Sequence, residues 1–290
     1  LKLSLSHFAQ WSAPARIIAF LLFLAGVWLP FAIAVYWLGN RGTSLTILAM
    51  SFLFINFLGL IQFWARRVHH QPNPLQHYGL EFSQRSVKEF CGGGAIGILS
   101  LLGLLLTETA FGWITWQFPN LTLGQISLEG LLMALGVGFA EELFFRGWLL
   151  DELERDYVAR RALWINAIVF AILHFLKPLP EVLRTFPQFP ALVILGLALV
   201  WAKRSCGDWQ QGKHRDRLAL AIGLHTGLVW SYYMVNVGKL VQYADRIPAW
   251  VTGIDKNPLA GAIGLIFLSL LALGMRWFAK RNQRDVQLKG

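Results

Sequence analysis

The sequence predicts an all-α, polytopic integral membrane protein of about eight transmembrane helices, with an active site in a core of helices four to seven. Composition is the first reason: of 290 residues, 56% are hydrophobic and 14% charged, against roughly 25% charged in soluble domains. Length is the second. Several apolar runs reach the roughly 20 residues that a helix rising about 1.5 Å per residue needs to cross a hydrocarbon core. The expected spans lie near residues 17–39, 44–64, 91–117, 127–150, 161–176, 190–203, 218–238 and 259–279. The fifth and sixth are short, and Lys177, Pro178 and Pro180 close the fifth. Short, interrupted helices suit a cavity-lining role, because irregular backbone at membrane depth is tolerated only against protein or water.

The first apolar run is longer than a signal-peptide core and has no small-residue cleavage site after it, so it reads as a retained helix. Orientation follows from lysine and arginine. Lys2 and Arg16 precede the first span. Arg66, Arg67, Arg85 and Lys88 follow the second, Arg155, Arg160 and Arg161 the fourth, and Lys203, Arg204, Lys213, Arg215 and Arg217 the sixth. The tail adds Arg276, Lys280, Arg281, Arg284 and Lys289, whereas the alternate loops hold only Arg41, Lys177, Arg184, Lys239, Arg246 and Lys256. Both termini are therefore expected in the cytoplasm. A net charge of +10 distributed this way fits anionic headgroups and topology signals, with membrane lipid rather than nucleic acid as the partner. Cys91 and Cys206 are too few for a disulfide framework and are expected as free thiols. Tryptophans near helix ends, among them Trp37, Trp64, Trp148, Trp201 and Trp277, read as interfacial anchors. The connection over 65–90 is the longest loop, and its His69 and His70 read as solvated.

Chemistry enters in the fourth span, at Glu141-Glu142-Leu143-Phe144-Phe145-Arg146, about 13 Å from its basic end. Each ionisable group there costs at least about 2.5 kcal/mol against lipid, so the surroundings must be polar. Glu142 and Arg146 are four apart with the acid first, the favourable order for an ion pair. Glu141 is rotated about 100° from its neighbour and has no such partner. The fifth span carries Phe170 and His174 at four-residue spacing, with Asn166 close to the same face; the seventh carries Gly223-Leu224-His225-Thr226-Gly227. The glycines let another backbone or a substrate approach closely. A carboxylate in such a cavity can take a proton from water and return it to a leaving amine, and an imidazole can hold an oxyanion. Zinc held by Glu141, His174 and His225 is the other chemistry this inventory allows, although no HExxH spacing is present.

At these motifs the chain resembles the CPBP intramembrane protease family, which includes type II CAAX prenyl endopeptidases and abortive-infection proteins. The family pattern is EExxxR, FxxxH, then HxxxN or HxxxD. The first is complete over Glu141–Arg146 and the second over Phe170–His174; in the third, His225 matches and Val229 stands where the family has Asn or Asp. The resemblance implies an intramembrane endopeptidase acting on a membrane-associated, possibly CAAX-type, protein or peptide. It implies Glu141 as general base, His174 as its assistant, Glu142 as the partner of Arg146, and His225 as oxyanion donor. Thr226, Ser231 and Asn166 are the candidates to replace the missing donor, with Glu142, Arg146, Phe170 and Asn166 in support. The cofactor is expected to be none or zinc.

The chain is expected to divide into N-terminal helices (1–124), a catalytic helical core (125–240) and a C-terminal helix with a basic tail (241–290). Two other functions fit the inventory. One is a non-proteolytic membrane scaffold or immunity-type protein, motivated by Val229; the other is a proton-coupled transporter, since intramembrane acids and histidines also serve relays.

Overall fold

The structure, a computed structural model, describes residues 5–38, 42–118, 121–210 and 213–289. Lys2 and Arg41 of the charge pattern lie outside the described residues. The helices, in chain order, are α1 (Ala13–Leu38), α2 (Thr43–Arg67), α3 (Pro74–His77), α4 (Gln84–Ala110), α5 (Leu123–Glu142), α6 (Leu150–Glu154), α7 (Ala159–Leu173), α8 (Leu179–Thr185), α9 (Phe189–Arg204), α10 (Ala219–Asn236), α11 (Ala249–Thr252) and α12 (Ala262–Lys289). A π-helical turn, Leu143–Leu149, joins α5 to α6. Four short strands form two antiparallel pairs: β1 (Ile114–Trp116) with β4 (Val241–Tyr243), and β2 (Gly207–Gln210) with β3 (Lys213–Asp216).

The protein is an all-α polytopic membrane fold, 79% helical. Among the described residues six stretches are long and apolar enough to cross a membrane: Ala13–Trp37, Ser44–Arg67, Gln84–Ala110, Leu123–Glu154, Leu179–Arg204 and Ala262–Asn282. This does not confirm the expected eight. The two that fall short are α7, with 15 residues, and α10, whose 18 residues include His225, Thr226 and Asn236. Both belong to the core that carries the histidines: α7 falls short by its length and α10 by its polar side chains.

Loops at each end of the bundle contact one another. At the basic end, Arg16 Nε donates to Glu152 Oε2 at 2.7 Å, and the Trp64 indole donates to Glu152 Oε1 at 2.9 Å. Arg217 binds Glu89, and Leu218 N–H donates to Gly79 O. At the other end β1 pairs with β4, and Arg246 donates to Gly112 O. Two expectations change here. His69 is not solvated: its side chain is 3% exposed and its Nε2 lies 2.6 Å from Glu152 Oε1, because the loop folds back on α6. Trp64 and Trp148 are not interfacial anchors. Both are buried among Phe20, Phe57 and Phe144, with Phe20 stacked on Trp148 at 4.0 Å, whereas Trp37 and Trp277 are exposed. Lipid tails are as apolar as these rings, so it is close packing that favours burying them between helices.

α10 lies in the middle of the bundle, packed chiefly on α4 and α5. A Cβ at Gly223 would strike Phe90 O, and one at Gly227 would strike Gly94 O. The close approach these glycines permit is therefore to the α4 backbone, which sets the height and rotation of His225.

Candidate active site

Glu142 is fully buried, and its Oε1 accepts two hydrogen bonds, from Arg146 Nη1 and from His225 Nδ1, each at 2.8 Å. Arg146, also fully buried, donates through Nη2 to Gly196 O on α9 at 3.3 Å. The Phe170 ring lies under the guanidinium, 4.3 Å from its carbon. Phe170 also supplies the carbonyl that His174 Nδ1 meets at 2.8 Å. The four-residue spacing of Phe170 and His174 thus has a physical basis: the ring supports Arg146 while the backbone orients the imidazole.

These contacts fix both tautomers. A carboxylate paired with arginine and a backbone carbonyl only accept, so Nδ1 carries the proton in His225 and in His174. The Nε2 atoms of both rings face Glu141 Oε2, each at 3.9 Å. Glu141 Oε2 is itself shielded from solvent and has no hydrogen-bond partner among the described residues, although the Glu141 side chain as a whole is 30% exposed. Adjacent in sequence, the two glutamates occupy opposite circumstances, one doubly bonded in the interior and one unbonded between two imidazoles.

The π turn begins directly after the pair. Single π turns are uncommon and widen the helix, leaving carbonyls imperfectly matched. Phe145 O takes the Leu150 N–H and also Asn166 Nδ2 at 2.7 Å, and Arg146 O takes Lys203 Nζ at 2.7 Å. Asn166, expected as an oxyanion candidate, is buried and donates through Nδ2 to Phe145 O, so it supports the turn. The Thr226 hydroxyl donates to Ala134 O, and that of Ser231 to Gly227 O. Val229 is partly buried and offers no donor. Lys203 and Gly196 were not legible as site residues. Lys203 reads in sequence as one more charge at the basic end, and a carbonyl ligand such as that of Gly196 leaves no side-chain signature.

Two imidazoles with committed Nδ1 protons and a carboxylate are the right donor types for zinc. Their spacing is too wide. Ligands about 2.1 Å from a tetrahedral ion lie roughly 3.4 Å apart, less than the 3.9 Å from Glu141 to either ring. Among the described residues no group of three or more His, Cys, Asp or Glu is placed to hold a metal ion.

An apolar cavity of about 790 Å³ is walled by Phe82, Val87, Phe90, Leu135, Phe139 and Ile222. Phe139 and Ile222 stand one turn before Glu142 and His225 on their helices. A larger cavity, about 870 Å³ between Gln117 and Asp255, contains none of the site residues. Neither cavity is lined by Glu141, His174 or His225; Phe139 and Ile222 bring the smaller one within a turn of Glu142 and His225.

Fold and site together define a helical membrane protein with a glutamate–histidine cluster inside its bundle. Residues 122–231 match the family described as Type II CAAX prenyl endopeptidase Rce1-like, consistent with a CPBP family intramembrane protease. The matched segment holds Glu141, Glu142, Arg146, Phe170, His174 and His225. The match supports a protease at the general level. No curated protein and no solved structure matches the chain.

Proposed function

We propose that this protein hydrolyses a peptide bond of a membrane-associated, CAAX-type protein or peptide, with Glu141 as general base. The observation that carries the reading is the unpartnered Glu141 Oε2 facing His174 Nε2 and His225 Nε2 at 3.9 Å each. Water in that space donates a proton to Glu141 as its oxygen attacks the scissile carbonyl carbon, with His174 accepting the second hydrogen bond. Negative charge then develops on the carbonyl oxygen. A neutral His225 with its proton on Nδ1 carries none on Nε2, so it donates to that oxygen only as an imidazolium. As the C–N bond breaks, Glu141 returns the proton to the departing amine, leaving a new carboxyl on the other fragment.

Two further features support the substrate class. The apolar cavity walled by Phe139 and Ile222, one turn from Glu142 and His225, would accommodate a bulky apolar group. The charge pattern supports a cytoplasmic position for both termini and for the basic end near the site. Purified protein in liposomes should cut a prenylated CAAX-type peptide faster than its unmodified counterpart, with the cleaved bond read by mass spectrometry. Absence of cleavage of either peptide refutes the proposal.

Val229 favours a second reading, a non-proteolytic scaffold that keeps the fold. With Asn166, Thr226 and Ser231 bonded elsewhere, oxyanion stabilisation falls to His225. In that case Glu141→Gln leaves the biological phenotype intact, while loss of Arg146 still unfolds the protein.

A further inference from the structure

Among the described residues Lys203 is the one buried lysine. Its Nζ donates to Arg146 O at 2.7 Å, and among the described residues no carboxylate lies within ion-pair distance of it. Placing an ammonium among helices to meet a single carbonyl is costly, and the next residue shows the inexpensive alternative. Arg204 is directed outward, where it binds Glu154 and Ala159 O.

The carbonyl that Lys203 selects belongs to the π turn. Arg146 is gripped twice from α9, at its backbone by Lys203 and at its guanidinium by Gly196 O. The same guanidinium holds Glu142 Oε1, and that oxygen holds His225 Nδ1. A charge-assisted bond to a carbonyl is roughly twice as strong as a neutral one, so Lys203 ties the backbone of the turn firmly to α9. If it is lost, the turn can relax to regular α-helix, rotating Arg146 and Glu142 relative to α10.

We propose that Lys203 is a positioning residue for the reaction, holding the π turn in the register that keeps Glu142 on His225 and Glu141 facing both imidazoles. This rests on the reading of Glu141 as the base. It acts through Arg146 and touches no reacting atom.

The test compares Lys203→Met, Lys203→Arg and the neighbouring control Arg204→Met in the liposome cleavage assay, with thermal unfolding measured alongside. Misplacement of a catalytic group by about 1 Å costs on the order of 10²-fold in rate. Lys203→Met is therefore expected to lose about 10²-fold in kcat with KM unchanged, Lys203→Arg to recover much of it, and Arg204→Met to behave as the parent. The inference is overturned if folded Lys203→Met keeps the parental kcat, or if Lys203→Arg is folded and recovers nothing. Should Lys203→Met fail to fold, Lys203→Gln, which retains a donor without charge, replaces it with the same two outcomes. Glu141→Gln is run in parallel. A variant of Glu141 that still cleaves defeats the proposed function itself, whereas an inactive Glu141→Gln beside a fully active Lys203→Met defeats only the role of Lys203.

Discussion

Replacing each glutamate of the pair by glutamine should separate a structural carboxylate from a chemical one. Glu142→Gln removes the charge that faces Arg146 Nη1 and His225 Nδ1, each at 2.8 Å, in a site where Glu142 and Arg146 are fully buried. Breaking a buried ion pair by removing one partner costs about 3–5 kcal/mol. Glutamine keeps one accepting oxygen, so the lower end, about 3 kcal/mol, applies. At about 2–4 °C per kcal/mol for a chain of a few hundred residues, the midpoint should fall by roughly 6–12 °C. Glu141 is 30% exposed and its Oε2 has no hydrogen-bond partner, so Glu141→Gln should stay within about 0.5 kcal/mol of the parent, a shift under roughly 2 °C. The assay is thermal unfolding in detergent, followed by the fluorescence of the thirteen tryptophans at one fixed scan rate, because unfolding of such proteins is commonly irreversible. Equal shifts for the two variants, or an unshifted Glu142→Gln, would refute the division of labour.

Two further outcomes follow from the same geometry. Because Glu141, His174 and His225 stand too far apart to hold zinc as placed, cleavage should survive a strong chelator; loss of activity restored by added zinc would show that the three groups close on a metal. Burial pushes the Cys206 thiol up to about 12, so it stays protonated, and the thiolate that reacts is scarce, at any pH well below that. Alkylation at pH 8 followed by peptide mass mapping should leave Cys206 unmodified until the protein is denatured, while the exposed Cys91 is modified in the native state.

Much of this molecule was legible in the sequence where the signal is local. Runs of apolar residues gave the membrane class, and intervals of four gave the Glu142–Arg146 pair and the Phe170–His174 unit. Depth and flanking glycines pointed to His225. What the sequence did not reveal depends on distant partners or on backbone geometry. Arg16 and Glu152 are 136 residues apart, and nothing periodic marks either as the other's partner. Trp64 and Trp148 have the composition of interfacial anchors, and only the packing of α1 and α2 on the π turn buries them. The π turn has no composition of its own; it is visible through what it demands, a donor from Asn166 and another from Lys203. The expected spans at α7 and α10 are not confirmed: α7 has only 15 residues, and the polar His225, Thr226 and Asn236 lower the hydropathy of α10.

The most direct test of the central claim is the kcat of Glu141→Gln on a substrate the parent cleaves, in protein that inserts and unfolds like the parent. General-base catalysis by Glu141 predicts a fall of about 10²- to 10⁴-fold with an unchanged midpoint. A folded Glu141→Gln that cleaves at the parental rate would contradict it and move the chemistry away from this carboxylate.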